Sequence, residues 1–254
     1  MANPLWPLPQ LYKKPSMVWS ALDLLFPPFC CNCGVLGFEL CPDCIKKIVV
    51  LNQRNLCPIC GDISINGKIC SECQINKPYF DQLRSWGAYS GVLREVIHKI
   101  KFNHGLGLIG YFTIPSVGFI KSWNIEIDHI VPVPLGKTRR HHRGYNQAAL
   151  IASPISRNLH IPYKLRALSR VKETSSQVGL NAKDREQNVL NAFEGDLEIN
   201  QNKSVLVIDD ITTTGSTLNE CAKALRNAGA KKVYCFTLAR TPISINLLEG
   251  LEAK

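Results

Sequence analysis

Ser204-Val-Leu-Val-Ile-Asp-Asp-Ile-Thr-Thr-Thr-Gly-Ser-Thr-Leu218 is the stretch on which the fold turns. Its consecutive apolar residues, Val205 to Ile208, read as a strand buried on both faces, the pattern of a parallel sheet. Asp209 and Asp210 follow, then a loop made almost wholly of Thr, Gly and Ser. Beyond Leu218 the residues turn helical in type until Gly229 supplies a stop. This order has a specific chemistry. Free N–H groups at a helix start, with the helix dipole behind them, attract an anion. Gly215 lets the backbone approach it closely, and the hydroxyls of Thr212, Thr213, Thr214, Ser216 and Thr217 donate to its oxygens. Carboxylates would repel an anion. Asp209 and Asp210 therefore suit another part of the ligand, a vicinal diol or a Mg²⁺ ion that prefers oxygen. Phosphate at one end and diol at the other describe a ribose 5-phosphate. Simple helix capping needs one such side chain, and seven stand in the nine-residue window from Asp209 to Thr217.

Ile127 to Pro134 reads as a second strand, ended by Pro132 and Pro134. It runs into Leu135-Gly-Lys-Thr-Arg-Arg-His-His-Arg-Gly-Tyr-Asn-Gln147, a loop whose cations, Lys137, Arg139, Arg140 and Arg143, can wrap a pyrophosphate. Strand ends of this kind lie on the ligand-binding edge of an open α/β sheet. The net charge of +10 is concentrated here, with eleven cations against two anions from Lys137 to Arg185. Such a band attracts polyanions, pyrophosphate or nucleic acid, although a basic face kept for solubility has the same composition. Its only aromatics are Tyr145 and Tyr163, a poor supply for base stacking.

Nine of eleven cysteines fall between Cys30 and Cys73, and eight form Cys-x-x-Cys pairs: Cys30/Cys33, Cys41/Cys44, Cys57/Cys60 and Cys70/Cys73. Each turn points two thiolates at one ion, and two turns complete a tetrahedral shell. Gly34 and Gly61 follow the first and third pairs, as in zinc-ribbon knuckles. The pattern suggests two structural zinc sites paired in sequence, with an interleaved pairing left open. Disulfides and iron–sulfur clusters are the competing readings; a chain in a reducing compartment keeps its thiols free. A segment this short and poor in aliphatics needs such staples to fold. Cys31 is left over, and Cys221 and Cys235 read as buried apolar fillers.

The remaining chain divides readily. Residues 1–15, with four prolines, read as an arm, and Ser16 to Phe26 as a short amphipathic helix. Asp23, Pro27 and Pro28 spoil any likeness to a secretory signal, and no run reaches the length of a membrane span, so the expectation is a cytoplasmic protein. Asn76 to Asp81 reads as a linker, Leu83 to Tyr89 as a strand and Gly91 to Phe102 as a helix. His98, Lys99 and Lys101 on that helix could face a ligand, but such a cationic face is more often solvent-exposed. Leu106 to Trp123 is a second helical stretch, blurred by Pro115 and Gly118. Residues 170–189 are polar and read as a loop leading into a helix, and Lys232 to Ala239 as a last strand.

The Asp209–Thr217 run resembles the phosphoribosyl pyrophosphate signature of type I phosphoribosyltransferases. That resemblance implies that Asp209 and Asp210 hold the ribose, Thr212, Thr213, Thr214, Gly215, Ser216 and Thr217 the 5-phosphate, and the Lys137–Arg143 segment the pyrophosphate. It also implies that the 170–189 loop closes over the ligand with Arg170, Gln177 and Arg185. Purine-specific members carry Asp where Thr213 stands. A Thr cannot serve as a general base near neutral pH, so purine transfer is disfavoured. The Pro132-Val-Pro134 strand end, the Arg143-Gly-Tyr-Asn-Gln147 run and the cysteine ribbons together are similar to the ComF family. So is Arg170-x₃-Thr174-x₂-Gln177-x₂-Leu180-x₄-Arg185-x₂-Asn188-Val189-x₂-Ala192-Phe193.

These resemblances imply an α/β fold: a type I phosphoribosyltransferase-like twisted parallel sheet with flanking helices over residues 80–245. A double zinc ribbon over 29–76 and an arm with a short helix over 1–28 precede it. They imply a protein that binds phosphoribosyl pyrophosphate or a nucleotide 5-phosphate with Mg²⁺. They also imply that it handles single-stranded DNA with DNA-uptake partners during natural transformation. The alternative is a true phosphoribosyltransferase acting on a non-purine base.

Overall fold

The computed structural model describes residues 27–103, 105–172 and 187–241, without the side chains of Ile65 and His142. The N-terminal arm, the helix expected over 16–26, and Gln177 and Arg185 lie outside the described residues.

The sheet is parallel, with strand order β1-β6-β5-β2. Its members are β1 (Gln82–Ala88), β2 (His129–Pro132), β5 (Ser204–Thr212) and β6 (Lys232–Arg240). Val205, Leu206, Val207 and Ile208 are all completely buried, as their unbroken apolar run requires. Alternation sends Leu206 and Ile208 into one core, shared with α3 (Gly91–Phe102), α4 (Leu108–Lys121) and α6 (Gln147–Leu159). Val205 and Val207 enter the other core, beneath α8 (Ser216–Asn227). Cys221 and Cys235 fill that second core.

Several elements differ from the sequence expectation. β5 does not stop at Ile208: β6 continues beside it, pairing Asp209 with Thr237, Ile211 with Ala239 and Thr212 with Arg240. The two aspartates and Thr212 therefore sit within a strand and not in a following loop. β2 is shorter than expected, although the Val133 N–H still donates to Ile208 O at 2.9 Å. The basic segment is not a loop but a short helix, α5 (Lys137–Arg143), closed by Gly144 in the left-handed conformation at φ 78°. α4 runs unbroken through Pro115. Outside the main sheet, β3 (Leu168–Arg170) and β4 (Phe193–Gly195) pair antiparallel. A short helix, α7 (Leu197–Asn200), precedes β5.

Both ribbons lie along the outer edge of β1 and cover it, as an exposed strand edge requires. In the first, Phe29 bridges Leu36 and the chain enters α1 (Pro42–Lys46). Val50 then bridges Gly87, with Leu51 N–H donating to Trp86 O at 3.0 Å and Ala88 N–H to Val49 O at 2.9 Å. In the second, Leu56 bridges Ile63, α2 (Ser71–Ile75) follows, and Leu83 N–H donates to Ile59 O at 2.7 Å. The expected linker packs as well: Phe80 is buried, and Asp81 pairs with Lys232 at 2.9 Å and also with Arg226.

Candidate ligand site and cysteine centres

The C-terminal ends of the parallel strands carry the acidic pair. Strand alternation turns Asp209 towards the face beneath α8 and Asp210 towards the face beneath α3. The Asp210 N–H donates to Asp209 Oδ1 at 2.9 Å. Burial, and after it the charge of Asp210, pushes the Asp209 carboxyl up to about 8, while Lys101 pulls it down. On the other face Lys101 Nζ lies 3.1 Å from Asp210 Oδ2, with the two side chains 18% and 9% exposed. This cation comes from the last turn of α3. Sequence reading weighed it as solvent-facing. The available signal was its place one residue after Ile100 and four after Ile97, both buried, which sets it against the apolar stripe.

The hydroxyl segment turns directly into α8. Gly215, at φ 85°, is the residue before the helix and offers no capping side chain of its own. Thr214 Oγ1 and Ser216 Oγ are 2.7 Å apart, and the Ser216 N–H reaches Thr214 Oγ1 at 3.4 Å. Thr212 is buried at the end of β5, its carbonyl accepting from Thr241 N–H at 3.0 Å. Thr213, Ser216 and Thr217 are half-buried and Thr214 is exposed. Such a helix start is chemically an anion cradle.

The basic segment is joined to this edge through the end of α3. The Arg143 guanidinium stacks over the Phe102 ring at 4.9 Å, and the Tyr145 hydroxyl donates to Ile100 O. Phe102 and Ile100 flank Lys101, so α3 ties the basic segment to Asp210. Lys137 and Arg140 are exposed, and Arg139 and Arg143 are half-buried. Asn146 caps α6 by accepting from Ala148 N–H at 3.1 Å, and its amide donates to Val133 O at 2.9 Å. Arg170 stacks over Phe193 at 5.2 Å within the β3–β4 pair.

The eight paired cysteines form two groups, Cys30/Cys33/Cys41/Cys44 and Cys57/Cys60/Cys70/Cys73, the ligand atoms of each lying within 4.8 Å of one another. The pairing is sequential. Backbone N–H groups already point at the sulfurs: Cys41 N to Cys30 Sγ, Cys44 N to Cys41 Sγ and Cys70 N to Cys57 Sγ, each at 3.4 Å. Burial raises the Cys30 thiol, but the N–H donors of Cys33, Cys41 and Asn32 outweigh it and bring it down to about 6. In the second group the donors of Cys70, Cys60 and Ile59 likewise overcome burial and bring Cys57 to about 7. Burial and neighbouring thiols push Cys44 and Cys60 to about 12. Crowded thiols with one in each group poised to ionise are a donor set that a divalent cation suits, and four sulfurs leave no open position.

A parallel sheet with an acidic strand end, a hydroxyl turn into a helix, and paired cysteine ribbons defines the class. It is a phosphoribosyltransferase-type domain joined to a double zinc ribbon. The "Phosphoribosyl transferase domain" family profile matches residues 146–248, and that of the "Double zinc ribbon domain" matches residues 21–74. The chain is 35% identical over 220 residues to Competence protein F of Haemophilus influenzae, covering 82% of this chain and 93% of that protein. It is 31% identical over 228 residues to the DNA utilization protein YhgH of Escherichia coli, covering 86% of this chain and 99% of that one. Competence protein ComFC of Bacillus subtilis matches at 28% over 235 residues, covering 89% of this chain and 90% of that one. The chain belongs to the competence protein F, or ComF, family.

Proposed function

We propose that the chain binds phosphoribosyl pyrophosphate or a nucleotide 5-phosphate with Mg²⁺ at the C-terminal edge of its sheet. We further propose that it handles single-stranded DNA with other DNA-uptake proteins in the cytoplasm. The observation that carries the first part is the juxtaposition of Asp209 and the Lys101–Asp210 pair with a helix start that opens on Gly215, on one sheet edge. Asp209 and Asp210 orient the ribose hydroxyls, the amides and hydroxyls of Thr212 to Thr217 receive the 5-phosphate, and Lys137, Arg139, Arg140 and Arg143 face the pyrophosphate. Arg170, with Gln177 and Arg185, approaches the ligand once it is bound. Lys101 neutralises Asp210 until the ligand arrives. Asp209 and Asp210 would hold Mg²⁺, which when bound would supply charge neutralisation for the pyrophosphate. The cysteine centres hold zinc in a structural role.

DNA handling is supported by the names of the relatives, which refer to competence and DNA utilization, and by the basic band. A second reading, transfer of the phosphoribosyl group to a base, is favoured by the α3 link between the ribose and pyrophosphate segments. Pyrophosphate release over a panel of bases separates the readings: turnover establishes the transferase, and its absence with intact ligand binding leaves a binding protein. Single-stranded DNA affinity is expected to fall steeply with salt, and Arg139→Ala/Arg140→Ala to reduce the log–log slope by about 1.4. A salt-independent affinity, or none at low salt, contradicts the DNA role.

A further inference from the structure

Each ribbon has a glycine with positive φ directly after the second cysteine of its first knuckle, Gly34 at 77° and Gly61 at 70°. Their surroundings differ. A Cβ on Gly34 would meet nothing within 4 Å, whereas one on Gly61 would lie 2.6 Å from Leu83 O and 3.6 Å from Nη1 of both Arg240 and Arg84. The sheet grips the second knuckle residue by residue. Pro58 O accepts from Arg84 Nη2 at 2.9 Å, Ile59 O from Leu83 N–H at 2.7 Å and Cys60 O from Arg240 Nη1 at 2.6 Å. Asp62 Oδ2 pairs with Arg240 Nη2 at 3.2 Å, the arginine side chain being only 6% exposed.

The residues that hold the knuckle also reach the hydroxyl turn. Leu83 Cδ2 lies 3.6 Å from where a Cβ of Gly215 would sit. Arg240 stands in register opposite Thr212, and the next residue, Thr241, donates its N–H to Thr212 O at 3.0 Å. Two routes, each a single residue long, therefore join Cys60 and Gly61 to the turn before α8. The knuckle of the first ribbon meets neither Leu83 nor Arg240 among the described contacts.

We propose that the second ribbon is a working part of the phosphate site: its knuckle, through Leu83 and Arg240, sets the position of Thr212 to Gly215. Metal at Cys57/Cys60/Cys70/Cys73 and a phosphorylated ribose at the turn then favour one another, and the Cys30/Cys33/Cys41/Cys44 centre is indifferent to the ligand. This rests on the phosphate reading of the turn. The donor set fits a closed metal centre, and coupling between two bound ligands is reciprocal, so either can report on the other.

Matched variants of the full chain test it. Gly34→Ala and Gly61→Ala impose the same left-handed strain, but only Gly61→Ala drives the knuckle into Leu83. Zinc content is measured with a chromophoric chelator, folding by circular dichroism, and ribose 5-phosphate affinity by calorimetry. The expected result is full zinc in both, with affinity weakened about tenfold or more in Gly61→Ala and unchanged in Gly34→Ala. Equal affinities in the two variants overturn the coupling. Cobalt-loaded protein gives a reading that survives poor folding of Gly61→Ala. Saturating ribose 5-phosphate is expected to change the thiolate-to-cobalt absorption of the wild type and of Gly34→Ala, and to change that of Arg240→Lys less, since only the Leu83 route remains. An unchanged wild-type spectrum, despite measurable ribose 5-phosphate heat, rejects the coupling and leaves the phosphate site standing. Absence of that heat in the zinc-loaded wild type rejects both.

Discussion

The two cysteine ribbons have the same ligand pattern and are built into the domain by different physics. The first is docked by apolar burial. Cys30, Leu40, Cys41, Cys44, Ile45 and Ile48 belong to the same core as Trp86, Phe112 and the buried face of α3. The second also lays Ile59 and Cys60 against a core, but its knuckle carbonyls are held by polar contacts from Arg84 and Arg240. Apolar burial is undirected and tolerates small shifts, while a chain of hydrogen bonds transmits position. The first ribbon is therefore cast as a stabiliser of the fold and the second as a positioner of the site.

The largest expected effect comes from the first ribbon. Cys44→Ser removes a buried ligand and is expected to cost about 3 kcal/mol or more, roughly 6–12 °C in Tm for a chain of this size. A thermal melt within 1–2 °C of wild type, on the scale of a neutral surface change, contradicts the shared core. Asp62→Ala should come next, because it leaves the buried Arg240 charge with one fewer partner. The expected loss is about 1–3 kcal/mol in a denaturant titration. A loss confined to Tm with ribose 5-phosphate affinity intact would reduce the second ribbon to the role of the first.

Smaller effects sharpen the contrast at the site itself. Lys101→Met leaves Asp210 unpaired, and Mg²⁺ should then raise the Tm of the variant by more than it raises that of the wild type. Equal shifts show that the Lys101–Asp210 contact does not compete with the metal. The raised Asp209 carboxyl gives a pH signature. The folded protein holds this proton from about 4, where an ordinary carboxyl releases it, up to about 8. Stability from this group is accordingly lost as pH rises through that window, since the folded state binds more protons than the unfolded. Affinity for a Mg²⁺-bound ligand should move oppositely, rising towards pH 8 as Asp209 ionises. Asp209→Asn should flatten both trends, and a wild-type profile already flat from pH 6 to 8 contradicts the assignment.

Much of this was legible in the residues. Val205 to Ile208 announced a parallel strand because nothing polar interrupts the run, and Gly215 before a helix announced the turn. Local signals failed where pairing decided the structure. The extension of β5 through Asp209 to Thr212 depends on β6, which lies some distance along the chain and continues beside it. The Lys137–Arg143 segment has no apolar face to show a helical period, and its helix is closed by Gly144. Spacing left the cysteine pairing open. The folded chain settles it by gathering the sulfurs of Cys30, Cys33, Cys41 and Cys44, and separately those of Cys57, Cys60, Cys70 and Cys73, with the Cys41 N–H on Cys30 Sγ and the Cys70 N–H on Cys57 Sγ. Arg240 escaped notice and Lys101 was weighed as solvent-facing for a related reason: each is a charge at the end of an apolar element, and its burial depends on a partner remote in sequence.

The most direct measurement is a calorimetric titration of the zinc-loaded full chain with phosphoribosyl pyrophosphate in Mg²⁺, repeated on the Asp209→Ala/Asp210→Ala variant. Saturable heat in the first that vanishes in the second is the predicted result. No heat in the first, or the same heat in both, contradicts the claim that the acidic end of β5 is where this protein holds its ligand.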